Sequence, residues 1–155
     1  MNPDELKQIA VLQAMDSDAL ARLAAALEEK EYADGQNVFA DGDPGDSMYF
    51  IAKGRIRVMK RAQTIGALHK TLAVLETGDY FGEMALIDNF PRSATAVTND
   101  DADVFSISKP DLDRVLIADR DLGYKLLWTF TRTLSRRLRE TNDKLTGFLA
   151  LSGGF

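Results

Sequence analysis

One segment of the sequence, residues 81–94, groups residue types that together suit a small anion. Gly82 lies at the start of a predicted short helix, with Glu83 next to it, inside a region that otherwise predicts β-strands. A glycine lets a ligand approach the backbone closely, and the first turn of a helix offers unpaired N–H groups that favour negative charge. Nine residues after Glu83, Arg92 follows Pro91 and carries planar, permanently charged donors that suit two phosphate oxygens.

The acidic residue of this segment points to a second, neutral part of the ligand. Glu83 is a poor partner for phosphate because two anions repel, but it suits a pair of hydroxyls such as those of a sugar beside a phosphate. The Ser93 hydroxyl and the N–H groups of Ser93 and Ala94 would complete the phosphate side. The alternative is that Glu83 and Arg92 form only a surface salt bridge, which is common and contributes little.

Short β-like runs separated by turn residues surround this segment. There are six such runs, namely Val38–Phe39, Met48–Ile51, Ile56–Met59, Leu72–Leu75, Ala94–Val97 and Val104–Ile107. Many short strands with glycine-rich turns predict a sandwich or a barrel.

Helices are predicted on both sides of the β region. Pro3 suits the first turn of a helix that runs to about Ala14, and Asp16 or Ser17 suits the cap of a second helix, with apolar residues as far as Leu27. The predicted organisation is a single domain over 1–155, with helices at 1–31, a β-roll at 32–108 and C-terminal helices at 109–148.

The longest predicted helix runs from about Asp121 to Leu145. Its apolar residues recur at steps of three or four residues or their sums and are Leu127, Phe130, Leu134, Leu138, Leu145 and Phe148. Thr141 interrupts this stripe. The pattern is at least as suitable for a coiled-coil-like dimer seam as for packing on the chain's own barrel.

Composition limits the other possibilities. The 155 residues are 45% hydrophobic, which is enough for a core without disulfides or a metal. A net charge of −5 argues against general nucleic-acid binding, and the absence of cysteine excludes disulfides and thiolate metal sites. There is no signal-peptide pattern and no apolar run long enough to span a membrane, so the expected location is the cytoplasm.

Catalytic and metal sites find little support in the sequence. Residues 41–46 suggest a calcium loop, but Ala52 stands where a carboxylate ligand would be needed. His69 is the only histidine, whereas metal enzymes with a double-stranded β-barrel need several histidines around the metal. No phosphate-binding Gly-Lys-Ser/Thr motif is present. We therefore expect no catalytic residue, no metal and no cofactor.

The run Phe81-Gly82-Glu83-Met84-Ala85-Leu86, with Pro91-Arg92-Ser93-Ala94 after a spacer, resembles the phosphate-binding cassette of the cyclic-nucleotide-binding domain family. The resemblance extends over about residues 32–145. It implies an α+β fold, in which an eight-stranded antiparallel β-roll or jelly-roll barrel is flanked by N-terminal helices and a long C-terminal helix.

The resemblance also implies a set of ligand contacts. Glu83 would contact the ribose 2′-hydroxyl and Arg92 the cyclic phosphate, while Val58 and Leu72 would line the base pocket. The complete set of expected ligand-binding residues is Gly82, Glu83, Met84, Ala85, Arg92, Ser93, Ala94, Val58, Leu72, Thr141 and Asn142.

The C-terminal helix resembles that of the catabolite activator branch of this family. Thr141 falls where a threonine meets the adenine amino group, and Asn142 where a hydroxyl of the neighbouring subunit does so. Alternatively, Thr141 is only a tolerated polar residue in the helix. Activators of that branch continue into a helix-turn-helix, whereas this sequence ends at Phe155, so no DNA-binding domain is expected. The arginines at 132, 136, 137 and 139 are interpreted as a solvent-exposed face.

Together these features predict a non-catalytic cyclic-nucleotide receptor for signal transduction, with cAMP as the expected ligand. Binding would be coupled to the position of the C-terminal helix, and the partner would be a second copy of the chain or an unknown effector protein. The alternatives are a cGMP-binding module and a scaffold or interaction domain with a weak or empty pocket.

Overall fold

Two four-stranded antiparallel sheets form the centre of the fold in the computed structural model, which describes residues 3–61 and 69–153. The strand orders are β1-β8-β3-β6 and β2-β7-β4-β5. The strands are β1 Glu28–Tyr32, β2 Asn37–Phe39, β3 Ser47–Lys53, β4 Ile56–Arg61, β5 His69–Leu75, β6 Tyr80–Phe81, β7 Thr95–Thr98 and β8 Ala102–Ser108. This confirms the predicted α+β jelly-roll architecture, and all six predicted β-like runs coincide with strands.

Five α-helices accompany the two sheets in the described residues. They are α1 Pro3–Leu6, α2 Ser17–Ala24, α3 Glu83–Asp88, α4 Lys109–Ala118 and α5 Arg120–Leu151. A short 3₁₀ helix, Ala10–Leu12, follows α1, so the continuous helix predicted as far as Ala14 is wrong.

The predicted helical region also extends too far at its other end. Asp16 caps α2 by accepting a hydrogen bond of 2.8 Å from the Ala19 N–H. The helix ends at Ala24, and Glu28–Tyr32 forms an edge strand that pairs along its whole length with β8. Backbone pairing with β8 overrides the helical preference of a glutamate-rich segment, so the β region begins before residue 32.

The core has two layers that share strand β3. Alternate residues of a strand point to opposite faces, and Phe50 faces the helices while Tyr49 and Ile51 face the space between the sheets. Leu126 and Phe130 of α5 pack into the helical layer. This anchors the first half of α5 on the sheet and fixes the direction in which its second half continues.

The apolar residues of α5 divide between two faces. Phe130 is buried together with Leu122 and Leu126, whereas Leu134 is half-buried. An outer apolar face remains exposed, and it consists of Tyr124, Leu127, Trp128, Leu138, Leu145 and Phe148. The prediction of a single stripe is therefore wrong, because Phe130 belongs to the chain's own core. Steps of three and four residues can be continued along either face of so long a helix.

Helix α5 has 32 residues and is long enough to be considered as a membrane span. Within the part of the chain that the structure describes, neither α5 nor any other helix is apolar enough over 18 residues to cross a membrane.

Candidate functional site

A cavity of about 440 Å³ lies between the β4–β5 wall, the 81–94 segment and the second half of α5. Ten of the predicted ligand-binding residues line it, namely Val58, Leu72, Gly82, Glu83, Met84, Ala85, Arg92, Ser93, Ala94 and Thr141. Asn142 is outside this lining, and its contact with the ligand of a neighbouring subunit stays a prediction. Another groove, of about 530 Å³, lies beside β1 and β8 and contains none of the predicted residues.

Gly82 makes the close approach of two parts of the site possible. Its φ is +81°, a left-handed conformation that favours glycine, and it directly precedes α3. A Cβ atom at this position would lie 2.8 Å from Nη1 of Arg92. The glycine therefore allows both the turn into α3 and the position of the arginine beneath it.

Arg92 is a buried cation, and one of its guanidinium nitrogens has no hydrogen-bond partner. Its residue exposure is 4%. Nη1 donates to the Gly82 carbonyl at 3.0 Å, Nη2 donates to the Ser47 carbonyl at 2.6 Å, and the guanidinium carbon lies 4.1 Å from the Phe39 ring centroid. Nε is buried without a hydrogen-bond partner. Burial lowers the pKa of Arg92, so an anion in the cavity would stabilise its charged form.

Glu83 is the second buried charge of the cavity, with a residue exposure of 1%. Arg137 of α5 donates from Nη1 to Oε1 of Glu83 at 2.8 Å and from Nη2 to the Tyr80 carbonyl at 2.9 Å. Burial raises the pKa of Glu83, and the charge of Arg137 opposes this shift. Among the described residues, Glu83 forms its ion pair with Arg137 and none with Arg92, so the surface salt bridge considered above is wrong.

The predicted solvent-exposed arginine face also needs correction. The Arg137 side chain is 29% exposed and reaches into the site, and Arg136 lines the cavity. Arg137 lies four residues before Thr141, hence on the same side of the helix, and this spacing is the signal that sequence analysis could have used. Its contact with Glu83, 54 residues away, has no signature in a single sequence.

Further charged residues of α5 complete this wall. Arg136 and Glu140 form an ion pair of 2.7 Å, and Lys144 donates to the Leu72 carbonyl at 3.3 Å. The hydroxyl of Thr141 donates to the Arg137 carbonyl at 2.8 Å, so towards a ligand its oxygen can only accept.

The charges that line the cavity nearly cancel. Among the described lining residues there are four cations, Arg92, Arg136, Arg137 and Lys144, and three carboxylates, Asp79, Glu83 and Glu140. Four positive charges less three negative charges leave one positive charge, which matches a monoanionic ligand. No group of three histidine or acidic side chains suited to a metal ion occurs in the described ranges.

Comparison with known proteins agrees with this geometry. A family model described as the cyclic nucleotide-binding domain matches residues 29–119, which is more than half of the chain. The chain belongs to the cyclic nucleotide-binding domain family. The match includes all of the 81–94 segment but not α5, so the cation-rich wall of the cavity lies outside it.

A transcriptional regulator is similar to the chain in sequence. It is 32% identical over 145 residues to a CRP-like cAMP-activated global transcriptional regulator of Mycobacterium tuberculosis, covering 93% of this chain and 62% of that protein. The chain thus spans less than two thirds of that regulator.

Two solved structures are also similar. The regulatory domain of Toxoplasma gondii PKA with cAMP has a TM-score of 0.67 and 27% identity, covering 79% of this chain and 47% of that one. A cyclic nucleotide-binding domain of Methylobacillus flagellatus has a TM-score of 0.84 at 24% identity, covering 94% and 84% of the two chains, and it supports the fold alone.

Proposed function

We propose that the chain is a non-catalytic receptor that binds cAMP in the cavity beneath α5. The observation that carries this proposal is the pair of buried, opposite charges in one cavity, with a donor of Arg92 unpaired. The cyclic phosphate would bind at Nε of Arg92 and the N–H groups of Ser93 and Ala94. The ribose 2′-hydroxyl would donate to Glu83, whose carboxylate Arg137 holds in place.

The base would lie between the β4–β5 wall and α5. Val58 and Leu72 give this part of the cavity apolar surface. Because the hydroxyl hydrogen of Thr141 is already donated, its oxygen would accept a hydrogen bond from an exocyclic amine. This supports adenine as the base, and the names of the Mycobacterium regulator and of the Toxoplasma structure agree with it, since both mention cAMP. Guanine also carries an amine, so cGMP is the alternative ligand.

The output would be the ordering of α5 and its pairing with a second copy. Leu127, Leu134, Thr141 and Phe148 follow one another at intervals of seven residues. A seven-residue repeat on an exposed helix face is typical of a coiled-coil seam. A homodimer formed in this way would bring Asn142 of each copy towards the partner's site. A docked effector protein is the alternative, and the cytoplasmic location stays a prediction.

Calorimetric titration of the full chain with cAMP, cGMP and 2′-deoxy-cAMP tests the proposed function. We expect one site per chain, tightest for cAMP, with weaker binding of the deoxy analogue because Glu83 loses its donor. Glu83→Gln should weaken cAMP more than the deoxy analogue, whereas equal losses would make Glu83 a purely structural residue. Absence of binding at millimolar concentration would favour the scaffold alternative.

A further inference from the structure

The back of the 81–94 segment is held by the acidic loop 40–43, part of which was considered above as a calcium loop. The Gly42 N–H donates to the Arg92 carbonyl at 2.9 Å, and the Arg92 N–H donates to the Asp43 carbonyl at 2.8 Å. The Asp43 carboxylate in turn accepts from the Ala40 N–H at 2.9 Å. Both backbone polar groups of Arg92 are therefore bound to the loop, on the side away from the cavity.

A lysine holds the next peptide group in the same way. Nζ of Lys60, on β4, donates to the Ser93 carbonyl at 2.7 Å and lies 3.7 Å from the carboxylate of Asp41. The Asp41 N–H donates to the Thr95 hydroxyl at 3.0 Å, which fixes the loop against β7. Lys60 is not part of the cavity lining, so its contact with the segment lies outside the cavity.

Because the carbonyls of Arg92 and Ser93 are held by these contacts, the geometry of the peptide unit determines where the N–H groups of the following residues point. In a trans peptide the C=O and the following N–H point in opposite directions, and the described chain has no cis peptide bond. The Arg92 and Ser93 carbonyls are bound outside the cavity by Gly42 and Lys60, so the opposite N–H groups of Ser93 and Ala94 are directed towards the cavity that both residues line. Among the turn and loop contacts of the described residues, neither N–H donates to a backbone carbonyl. Successive free N–H groups of this kind form an anion-binding concavity.

We infer that Lys60 is a positioning residue for the phosphate site. Its ammonium, held by Asp41, fixes and polarises the Ser93–Ala94 peptide so that the Ala94 N–H is directed at the bound phosphate. This inference rests on the proposed function. A charged donor on the carbonyl strengthens the hydrogen bond made by the opposite N–H of the same peptide, because aligned hydrogen bonds polarise one another.

Lys60 would also attract an anion simply as a nearby positive charge, and the neighbouring Arg61 separates the two effects. Arg61 is exposed on the same strand, and among the described residues its side chain forms no hydrogen bond or ion pair with the 81–94 segment. Lys60→Met and Arg61→Met each remove one positive charge, but only the first removes the contact with the Ser93 carbonyl. Lys60→Arg keeps a charged donor at that position.

The test is a titration of the full-length variants with cAMP, together with NMR of the Ala94 amide. Lys60→Met should bind cAMP about 5- to 10-fold more weakly, Lys60→Arg should recover most of the loss, and Arg61→Met should change affinity less than about 2-fold. In the wild type, cAMP should move the Ala94 amide proton downfield, and Lys60→Met should reduce this shift. A merely structural role would not produce that selective change.

Four outcomes would contradict the inference. Wild-type affinity in Lys60→Met, or equal losses in Lys60→Met and Arg61→Met, would overturn the role of Lys60 and leave the proposed function intact. An unchanged Ala94 shift in a weakened Lys60→Met would assign the loss to another contact. If the wild type binds no cyclic nucleotide, the proposed function fails, and the inference fails with it.

Discussion

Arg92 and Glu83 show how burial changes the meaning of two ordinary surface residues. Either charge alone would be costly to bury, and each is compensated by specific contacts, with backbone carbonyls for Arg92 and with Arg137 for Glu83. The compensation of Arg92 is incomplete because Nε has no partner. A buried, charged side chain with an unpaired nitrogen is stronger support for a ligand site than the sequence motif alone.

Replacement of Arg92 tests the phosphate contact. Arg92→Ala should weaken cAMP binding by roughly 10- to 100-fold or more, as expected when a charge-assisted contact worth about 1.5–3 kcal/mol is lost. Arg92→Lys should recover only part of this affinity, since an ammonium cannot donate from a fixed fork. Calorimetry gives the affinities, and circular dichroism shows that the variants are folded. Unchanged affinity in a folded Arg92→Ala protein would exclude this phosphate site.

The pKa of Glu83 gives a pH dependence of stability. Burial raises this pKa above that of the unfolded chain, so folding takes up a proton at Glu83. The stability contributed by this proton uptake is fully present at pH values below the pKa of Glu83 in the unfolded chain. It is lost as the pH rises through the pKa of Glu83 in the folded protein. The glutamine of Glu83→Gln cannot titrate, so the free energy of unfolding of this variant should increase relative to that of the wild type as pH rises. Urea unfolding between about pH 4 and pH 8 measures the difference, and a trend of opposite sign would contradict it.

The predictability of the site follows from how local each contact is. Gly82, Glu83 and Arg92 are close in sequence, and their types and spacing predict a site for an anion and a hydroxyl pair. Arg137 and Lys60 act through contacts that are distant in sequence, at separations of 54 and 33 residues. Such contacts depend on how β4 and α5 are placed by the fold, which a single sequence does not specify.

At the scale of elements, α5 connects the ligand site with the outer surface. Its first half is fixed in the helical layer of the core by Leu122, Leu126 and Phe130. Its second half lies over the cavity through Arg137 and Lys144, with exposed residues around these contacts. The position of this half therefore depends on a few polar contacts. A ligand that contacts the helix in only one position favours that position, by no more than its differential affinity for the two positions.

Arg137→Met should loosen the second half of α5 in the ligand-free protein. Amide exchange over residues 134–145 should become about 10-fold faster or more, because a charge-assisted hydrogen bond contributes about 1.5–3 kcal/mol. Arg139→Met is the matched control, since Arg139 is exposed on the same helix. Equal exchange in the two variants would show that Arg137 does not hold the helix.

The elements also show where sequence patterns are insufficient. Strands such as β3 and β8, which have buried and alternating residues, are predictable from their β-like runs. β1 is a charged edge strand and its residues favour helix, while β6 has only two residues. Both exist because neighbouring strands pair with them, and such pairing is a property of the whole fold.

At the scale of the molecule, the outer apolar face of α5 is a surface that the described residues leave exposed. Leu138 in its centre is 61% exposed, and the rings of Tyr124 and Trp128 stack at 6.5 Å at one end. Exposed apolar surface of this extent marks an interaction site. Since the same helix lines the cavity, dimerisation and ligand binding would share one element.

Leu138→Asp tests the homodimer. The wild type should have the mass of a dimer by light scattering, and Leu138→Asp should be monomeric because the new charge would be buried in the seam. Arg139→Asp places the same side chain on an adjacent exposed position that is not part of the outer apolar face, and this variant should remain dimeric. A monomeric wild type with ligand-independent exchange in α5 would contradict the coupling but not the binding site.

The most direct test of the central claim is a crystal structure of the full chain with cAMP. The account predicts the nucleotide in the cavity beneath α5, with the cyclic phosphate on Nε of Arg92 and on the N–H groups of Ser93 and Ala94. The ribose 2′-hydroxyl should lie within hydrogen-bond distance of Glu83. A nucleotide bound elsewhere, such as in the groove beside β1 and β8, or a phosphate without contact to Arg92, would contradict it.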